Sequence, residues 1–140
     1  MVIDVEPLYF MVTGDWPIHR FAHTYLGATV VAIACAFAGR LPCSWALRLW
    51  NSRLDEAQAR WLAVETRIAA LPAATGALAG GWSHVLLDSL MHPDMDPLAP
   101  FAKGNALLQA VTLGQLELFC VVTGALGAAA LGVMAWRRRK

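Results

Sequence analysis

The chain has 140 residues and a formal net charge of +1, from 11 Lys and Arg against 10 Asp and Glu. This balance gives no electrostatic basis for nucleic-acid binding. Hydrophobic residues make up 58% of the chain and charged residues 15%, against roughly 45–50% and 25% in soluble domains. The composition excludes a disordered chain and disfavours an ordinary soluble enzyme, because few charges remain to cover its surface.

Three stretches are candidates for membrane-spanning helices, which need about 20 mostly apolar residues. They cover residues 21–39, 72–90 and 116–136. Over residues 54–71, apolar side chains recur every three or four positions, which is typical of an amphipathic helix at a membrane surface. We therefore expect an all-α integral membrane bundle, a single membrane domain over residues 1–140, with three spans and one surface helix. The alternative is a small soluble helical bundle.

The basic residues set the expected orientation, because cytoplasmic loops of membrane proteins are enriched in Lys and Arg. The loop over residues 40–71 and the C-terminal tail together carry nine basic residues, and the rest of the chain carries only Arg20 and Lys103. We expect a multi-pass protein of the plasma (inner) membrane with a cytoplasmic C-terminus. The N-terminal segment and residues 91–115 would then face outward.

The four histidines lie in two short motifs, one at the start of the first predicted span and one at the end of the second. His19 and His23 are four residues apart, and so are His84 and Asp88, a spacing that puts each pair on one face of a helix. The expected topology places both pairs at the outer face of the membrane. An ionisable residue such as Asp88 is costly inside a span unless it has a partner. The motifs are therefore expected to meet.

A mixed set of histidines and carboxylates suits a divalent metal ion such as Zn²⁺, Mn²⁺ or Fe²⁺. Such an ion would lower the pKa of a bound water and make hydroxide available near neutral pH. Asp94 or Asp96 could then act as a general base or contact the substrate. Arg20 could bind an anionic group, or it could be an interfacial arginine. The candidate metal ligands are His19, His23, His84 and Asp88.

Structural explanations exist for the same residues. Each pair could be a polar clasp between helices, in which case the protein would be a non-enzymatic membrane scaffold or partner subunit. The segment that carries Asp94 and Asp96 is also typical of a turn at a helix end. Handling of ions or protons is a third possibility. The three cysteines have no paired spacing, so they predict neither a disulfide framework nor a cysteine zinc site.

Residues 19–24 (HRFAHT), residues 80–88 (GGWSHVLLD) and Pro100-Phe101 resemble the motifs of small inner-membrane metal-dependent hydrolases, a family also described as LexA-binding, membrane-associated hydrolases. The resemblance covers about residues 3–102. It implies a membrane-bound hydrolase that uses a divalent metal ion.

Asp4 and Glu6 correspond to an acidic pair of that family, which implies that they are further metal ligands. Relatives usually begin with another helical segment that carries a Thr-x-x-His element before this pair. This chain starts just before Asp4, so the resemblance implies an N-terminally shortened version, with weaker metal binding if the absent histidine is a ligand. The expected substrates are phosphoesters or lipid-linked molecules that reach the outer face. The sequence leaves the metal, the substrate and the oligomeric state open.

Overall fold

The computed structural model describes residues 2–137, which form six α-helices and one 3-10 turn and contain no strand. The helices are α1 (Val5–Thr13), α2 (Tyr25–Ala38), α3 (Arg40–Ser52), α4 (Glu56–Leu62), α5 (Ala70–Ser89) and α6 (Leu113–Arg137), with the 3-10 turn at Phe21–His23. The all-α prediction is confirmed. Arg138, Arg139 and Lys140, which contributed to the predicted orientation, lie outside the described residues.

The contacts divide the chain into two compact units. The first comprises the described residues of Met1–Gly39 together with Ala69–Val111. The second comprises Arg40–Ile68 and the described residues of Thr112–Lys140. All four histidines and every predicted site residue belong to the first unit.

The first unit is built on close packing of α2 against α5 through small side chains. On each helix, buried residues recur every fourth position. They are Ala28, Ala32 and Ala36 on α2, where Gly27 is also buried, and Gly81, Val85 and Ser89 on α5. A Cβ atom at Gly81 would lie 3.4 Å from the carbonyl oxygen of Ala28. Small residues at such a seam let two helix backbones approach closely, and Ile3 and Met95 complete the buried core.

The 3-10 turn folds directly onto the start of α2. The hydroxyl oxygen of Thr24 accepts the N–H of Gly27 at 2.9 Å and caps the helix. The Thr24 hydroxyl also donates to the carbonyl oxygen of Phe21 at 2.9 Å. A Cβ atom at Gly27 would overlap the carbonyl group of Phe21, whose carbon would be only 2.6 Å away. Glycine at position 27 therefore allows the turn to place His23 against the helix.

Several helix boundaries differ from the predictions. The first predicted span, residues 21–39, begins with the 3-10 turn, and α2 starts only at Tyr25 because Thr24 provides the cap. The surface helix predicted over residues 54–71 is limited to Glu56–Leu62. Beyond it, the side chain of Asn51 hydrogen-bonds both the N–H and the C=O of Val64 and holds that backbone outside the helix.

Two helices, α1 and α3, were not predicted. The second and third predicted spans, residues 72–90 and 116–136, correspond to α5 and α6. Pro72 lies in the first turn of α5, where its missing N–H costs no helical hydrogen bond.

One helix of the described residues, α6, is long and apolar enough to cross a membrane. Leu116 is its buried residue, and the remainder of its apolar surface is open to lipid or another partner. Helices α2 and α3 meet the same criteria only when they are taken together. The structure therefore supports a C-terminal candidate span, whereas the three-span bundle stays a prediction.

Replacing Gly27 with Ala should destabilise the first unit, because the new methyl group displaces backbone rather than a flexible side chain. We expect a loss of about 1–3 kcal/mol, as for other overpacked sites, seen as a lower midpoint of thermal unfolding. Gly76→Ala is the matched control: Gly76 lies within α5 and has nothing near its Cβ position. That control should be neutral or stabilising by up to about 1 kcal/mol. Equal midpoints for the two variants would contradict the role given to Gly27.

Candidate metal centre

The first unit brings the two histidine motifs together, as expected from the sequence. Asp4 and Glu6 come from the start of α1, His19 and His23 from the segment before α2, and His84 and Asp88 from the last turns of α5. Residues far apart in sequence thus share one polar cluster. Its most buried histidine is His23, with 1% of the residue exposed.

Three close contacts between possible metal-ligand atoms define the centre of the cluster. Nε2 of His84 lies 3.1 Å from Oδ1 of Asp4 and 3.1 Å from Oδ2 of Asp88. Nε2 of His23 lies 3.6 Å from the same oxygen of Asp88. In a tetrahedral site with metal–ligand bonds of about 2.0–2.1 Å, neighbouring ligand atoms are about 3.3–3.4 Å apart. Asp4, His23 and His84 form one group of donors close enough together to hold an ion, and His19, His23 and Asp88 form a second group that shares His23.

Two of these donors are buried without a hydrogen bond. Nε2 of His23 and Nε2 of His84 have no hydrogen-bond partner among the described residues, although carboxylate oxygens lie close to both. Buried polar atoms are nearly always satisfied, yet the Asp88 oxygen lies 3.6 Å from Nε2 of His23 and the carboxylate contacts of Nε2 of His84 form no hydrogen bond. A metal ion would use both lone pairs and would also neutralise the neighbouring carboxylates, so the residues present fit such an ion.

Two carboxylates contact Nδ1 of the His23 and His19 rings and fix the orientation of these rings. Nδ1 of His23 lies 3.2 Å from Oε2 of Glu6, and Nδ1 of His19 lies 2.9 Å from Oδ1 of Asp94. In the tautomer that donates from Nδ1, Nε2 carries the lone pair that a metal needs. Both contacts are of the carboxylate–histidine kind that supports metal-binding histidines.

Glu6 does not belong to any group of three donors that closes around a common point among the described residues. It accepts the backbone N–H groups of Arg20 and Ala22, each at 3.0 Å. The structure thus places Glu6, which the resemblance implied to be a ligand, behind His23. Asp94, predicted as a catalytic residue, accepts backbone N–H groups from Ile18 and His19 in a similar way.

The environment favours the charge states that metal binding needs. Burial lowers the pKa of His23 below its usual 6.5, and the hydrogen bond with Glu6 opposes this only in part. The ring is therefore neutral near pH 7. Burial would raise the pKa of Asp94, but the hydrogen bonds from the ring and backbone of His19 outweigh this effect and lower it. Asp94 is therefore a carboxylate.

His92 is the site residue that the sequence reasoning missed. Its ring packs on that of His19 with a centroid distance of 4.2 Å, and His19, His92 and Asp94 form another possible donor group. The signal was present, because His92 follows Asp88 by the same four residues that separate Asp88 from His84. The N–H of His92 donates to the carbonyl oxygen of Asp88 at 2.8 Å. The four-residue spacing of His84, Asp88 and His92 therefore continues past the end of α5.

The other two predicted catalytic residues lie at the edge of the cluster. Arg20 is exposed, donates from Nε to the carbonyl oxygen of Pro17 at 2.8 Å, and holds its guanidinium 3.6 Å from the centre of the Phe10 ring. Asp96 is exposed and accepts the N–H of Gly104 at 2.6 Å. Neither belongs to a donor group among the described residues, but both line a cavity of about 410 Å³ that His19 and Asp94 also line.

Comparison with protein-family models, with curated proteins and with solved structures finds no match to this chain. The resemblance to inner-membrane hydrolases therefore stays a prediction based on the motifs at residues 19–24 and 80–88.

Acid should destabilise the metal-free protein through His23. Because the folded state lowers the pKa of His23 below 6.5, the unfolded chain binds more protons as the pH falls through about 6.5, and stability falls with it. We expect the thermal midpoint in EDTA to fall between about pH 7.5 and pH 5.5, and to fall less in His23→Gln. An equal fall in wild type and His23→Gln would show that other groups cause it.

Proposed function

We propose that this protein is a membrane-associated, metal-dependent hydrolase whose metal ligands are His23, His84, Asp88 and Asp4. The observation that carries the proposal is the pair of buried Nε2 atoms, on His23 and His84, that face carboxylate oxygens without hydrogen bonds. The motifs that resemble the inner-membrane hydrolases supply the same residues independently.

A divalent ion held by these donors would supply a Lewis acid and an activated water for hydrolysis. Two imidazoles and two carboxylates suit Zn²⁺, Mn²⁺ or Fe²⁺. Glu6 keeps the ring of His23 fixed, so that Nε2 stays aimed at Asp88 and needs no rearrangement to bind an ion. His19 lies next to these proposed ligands, since His19, His23 and Asp88 also form a donor group.

The residues on the cavity side would handle the substrate. The Asp94 carboxylate stabilises a proton on Nδ1 of His19, so the pair can hold a proton next to the reacting group. Arg20 offers a fixed positive charge for an anionic group, and Asp96 lies across the same cavity. These roles agree with the sequence-based hypothesis, in which Asp94 and Asp96 act as a base or contact the substrate and Arg20 binds an anionic group.

The lipid bilayer is part of the proposal. Helix α6 is the candidate anchor, and its apolar, exposed surface supports insertion. A multi-pass arrangement in the plasma (inner) membrane, with a cytoplasmic C-terminus and the site at the outer face, is supported by the distribution of basic residues along the chain.

A non-enzymatic clasp is the rival explanation, since the same contacts join α1, the 3-10 turn and α5. A clasp gains its stability from hydrogen bonds between the helices that it joins. The two unsatisfied Nε2 atoms disfavour it, because a buried clasp that leaves its own donors or acceptors unpaired costs free energy.

The direct test is the metal content of purified protein after loading with Zn²⁺, Mn²⁺ or Fe²⁺ and removal of free ions. We expect about one tightly bound ion per chain, because the two donor groups around these residues share His23, and at least a roughly tenfold weaker affinity in His84→Ala and Asp88→Asn. Asp15→Asn is the matched control, since Asp15 is an exposed carboxylate outside the donor groups, and it should bind like wild type.

A folded wild type without metal, or equal metal in all variants, would overturn the proposal. Loss of helical circular dichroism in His84→Ala, together with a metal-free wild type, would favour the clasp. Hydrolysis is checked with chromogenic phosphomonoesters and phosphodiesters. The rate should disappear in EDTA, return with the metal, and stay absent in His84→Ala.

A further inference from the structure

The cavity beside His19 adjoins a second, mostly apolar cavity, and the two together are called the groove. The cavity itself has a volume of about 410 Å³, and a second cavity of about 300 Å³ shares two wall residues with it, Leu26 and Ala99. The second cavity extends to the side chains of Trp82 and Phe101. Volumes of this size are typical of small-molecule sites.

The groove has a polar end and an apolar end. At the polar end are His19, Arg20, Asp94 and Asp96. The walls of the second cavity are formed by apolar and aromatic side chains, apart from the hydroxyl groups of Tyr25 and Thr29, and Thr29 accepts a hydrogen bond from the indole N–H of Trp82. A molecule that fills both cavities is therefore an amphiphile.

Arg20 supplies the cationic group at the polar end, beside the carboxylates of Asp94 and Asp96. Asp94 is already hydrogen-bonded to His19 and to backbone N–H groups, and Asp96 to the N–H of Gly104. The guanidinium of Arg20 uses only Nε for a hydrogen bond within the described residues, and its terminal nitrogens can hold a phosphate in a bidentate manner.

We propose that the groove binds the chain of a single-chain phospholipid or long-chain phosphate ester, with the phosphate at Arg20 and the alkyl chain between Leu26 and Ala99. This inference rests on the proposed function, which it deepens by naming the substrate class. His19 joins the two features, because it belongs to a metal donor group and also lines the cavity. A phosphate at Arg20 would therefore lie next to the metal ligands.

The test is photolabelling with a dodecyl phosphate that carries a diazirine in its chain. The protein is held in dodecyl maltoside, which offers the same chain without a phosphate, and labelled peptides are mapped by mass spectrometry. We expect labelling at residues 25–29 and 97–102 that excess dodecyl phosphate removes, whereas dodecanol and inorganic phosphate do not.

Two variants and one control test where the phosphate and the alkyl chain bind. Leu26→Trp fills the junction of the cavities, and Arg20→Gln removes the charge while keeping the side chain long. Each should reduce labelling roughly tenfold, the loss expected for one charged hydrogen bond or a blocked chain site. Leu86→Trp, at a leucine of similar exposure on α5 outside both cavities, should label like wild type.

Labelling spread equally over α6, or removed by dodecanol as well as by dodecyl phosphate, would overturn the phosphate-ester assignment. The metal content and the labelling of the wild-type protein separate the two proposals. Normal metal in a wild type without groove labelling would refute the substrate class alone, whereas groove labelling in a wild type without metal would refute the hydrolase and leave a lipid-phosphate binding site. Leu26→Trp should lose labelling and keep its metal.

Discussion

The carboxylate of Glu6 holds the backbone of the 3-10 turn and the ring of His23 at the same time. It accepts N–H groups from Arg20 and Ala22 and contacts Nδ1 of His23. This fixes which nitrogen of the buried ring faces Asp88 and His84. The turn can take this position because Gly27 carries no side chain and because α2 and α5 meet through small residues. The remaining features of the site follow from this arrangement.

His19 links the candidate metal centre to the groove. It belongs to a donor group with His23 and Asp88, and it also lines the cavity that Arg20 and Asp96 line. An amphiphile with its phosphate at Arg20 would present its ester bond to the metal ligands without leaving the apolar groove.

Much of this site could be predicted from the sequence, because helical spacing and the cost of a lone Asp88 both pointed to convergence of the histidine motifs. The separate roles of Glu6 and Asp94 could not, because orientation of a ring depends on hydrogen bonds from segments distant in sequence. The 3-10 turn was missed because apolar periodicity does not detect a cap at Thr24 or a steric requirement at Gly27. Helix α3 was missed because its apolar residues were assigned to a loop on the basis of its arginines.

The most direct measurement is X-ray absorption at the metal edge of the zinc-loaded protein. The account predicts nitrogen and oxygen ligands at about 2.0–2.1 Å, with the multiple scattering of two imidazoles and no sulfur. Replacing Glu6 with Gln should leave the ligand types unchanged while the imidazole signal becomes more disordered. Sulfur at about 2.3 Å, which would implicate the cysteines, or a spectrum without imidazole would contradict the assignment of the metal to His23 and His84.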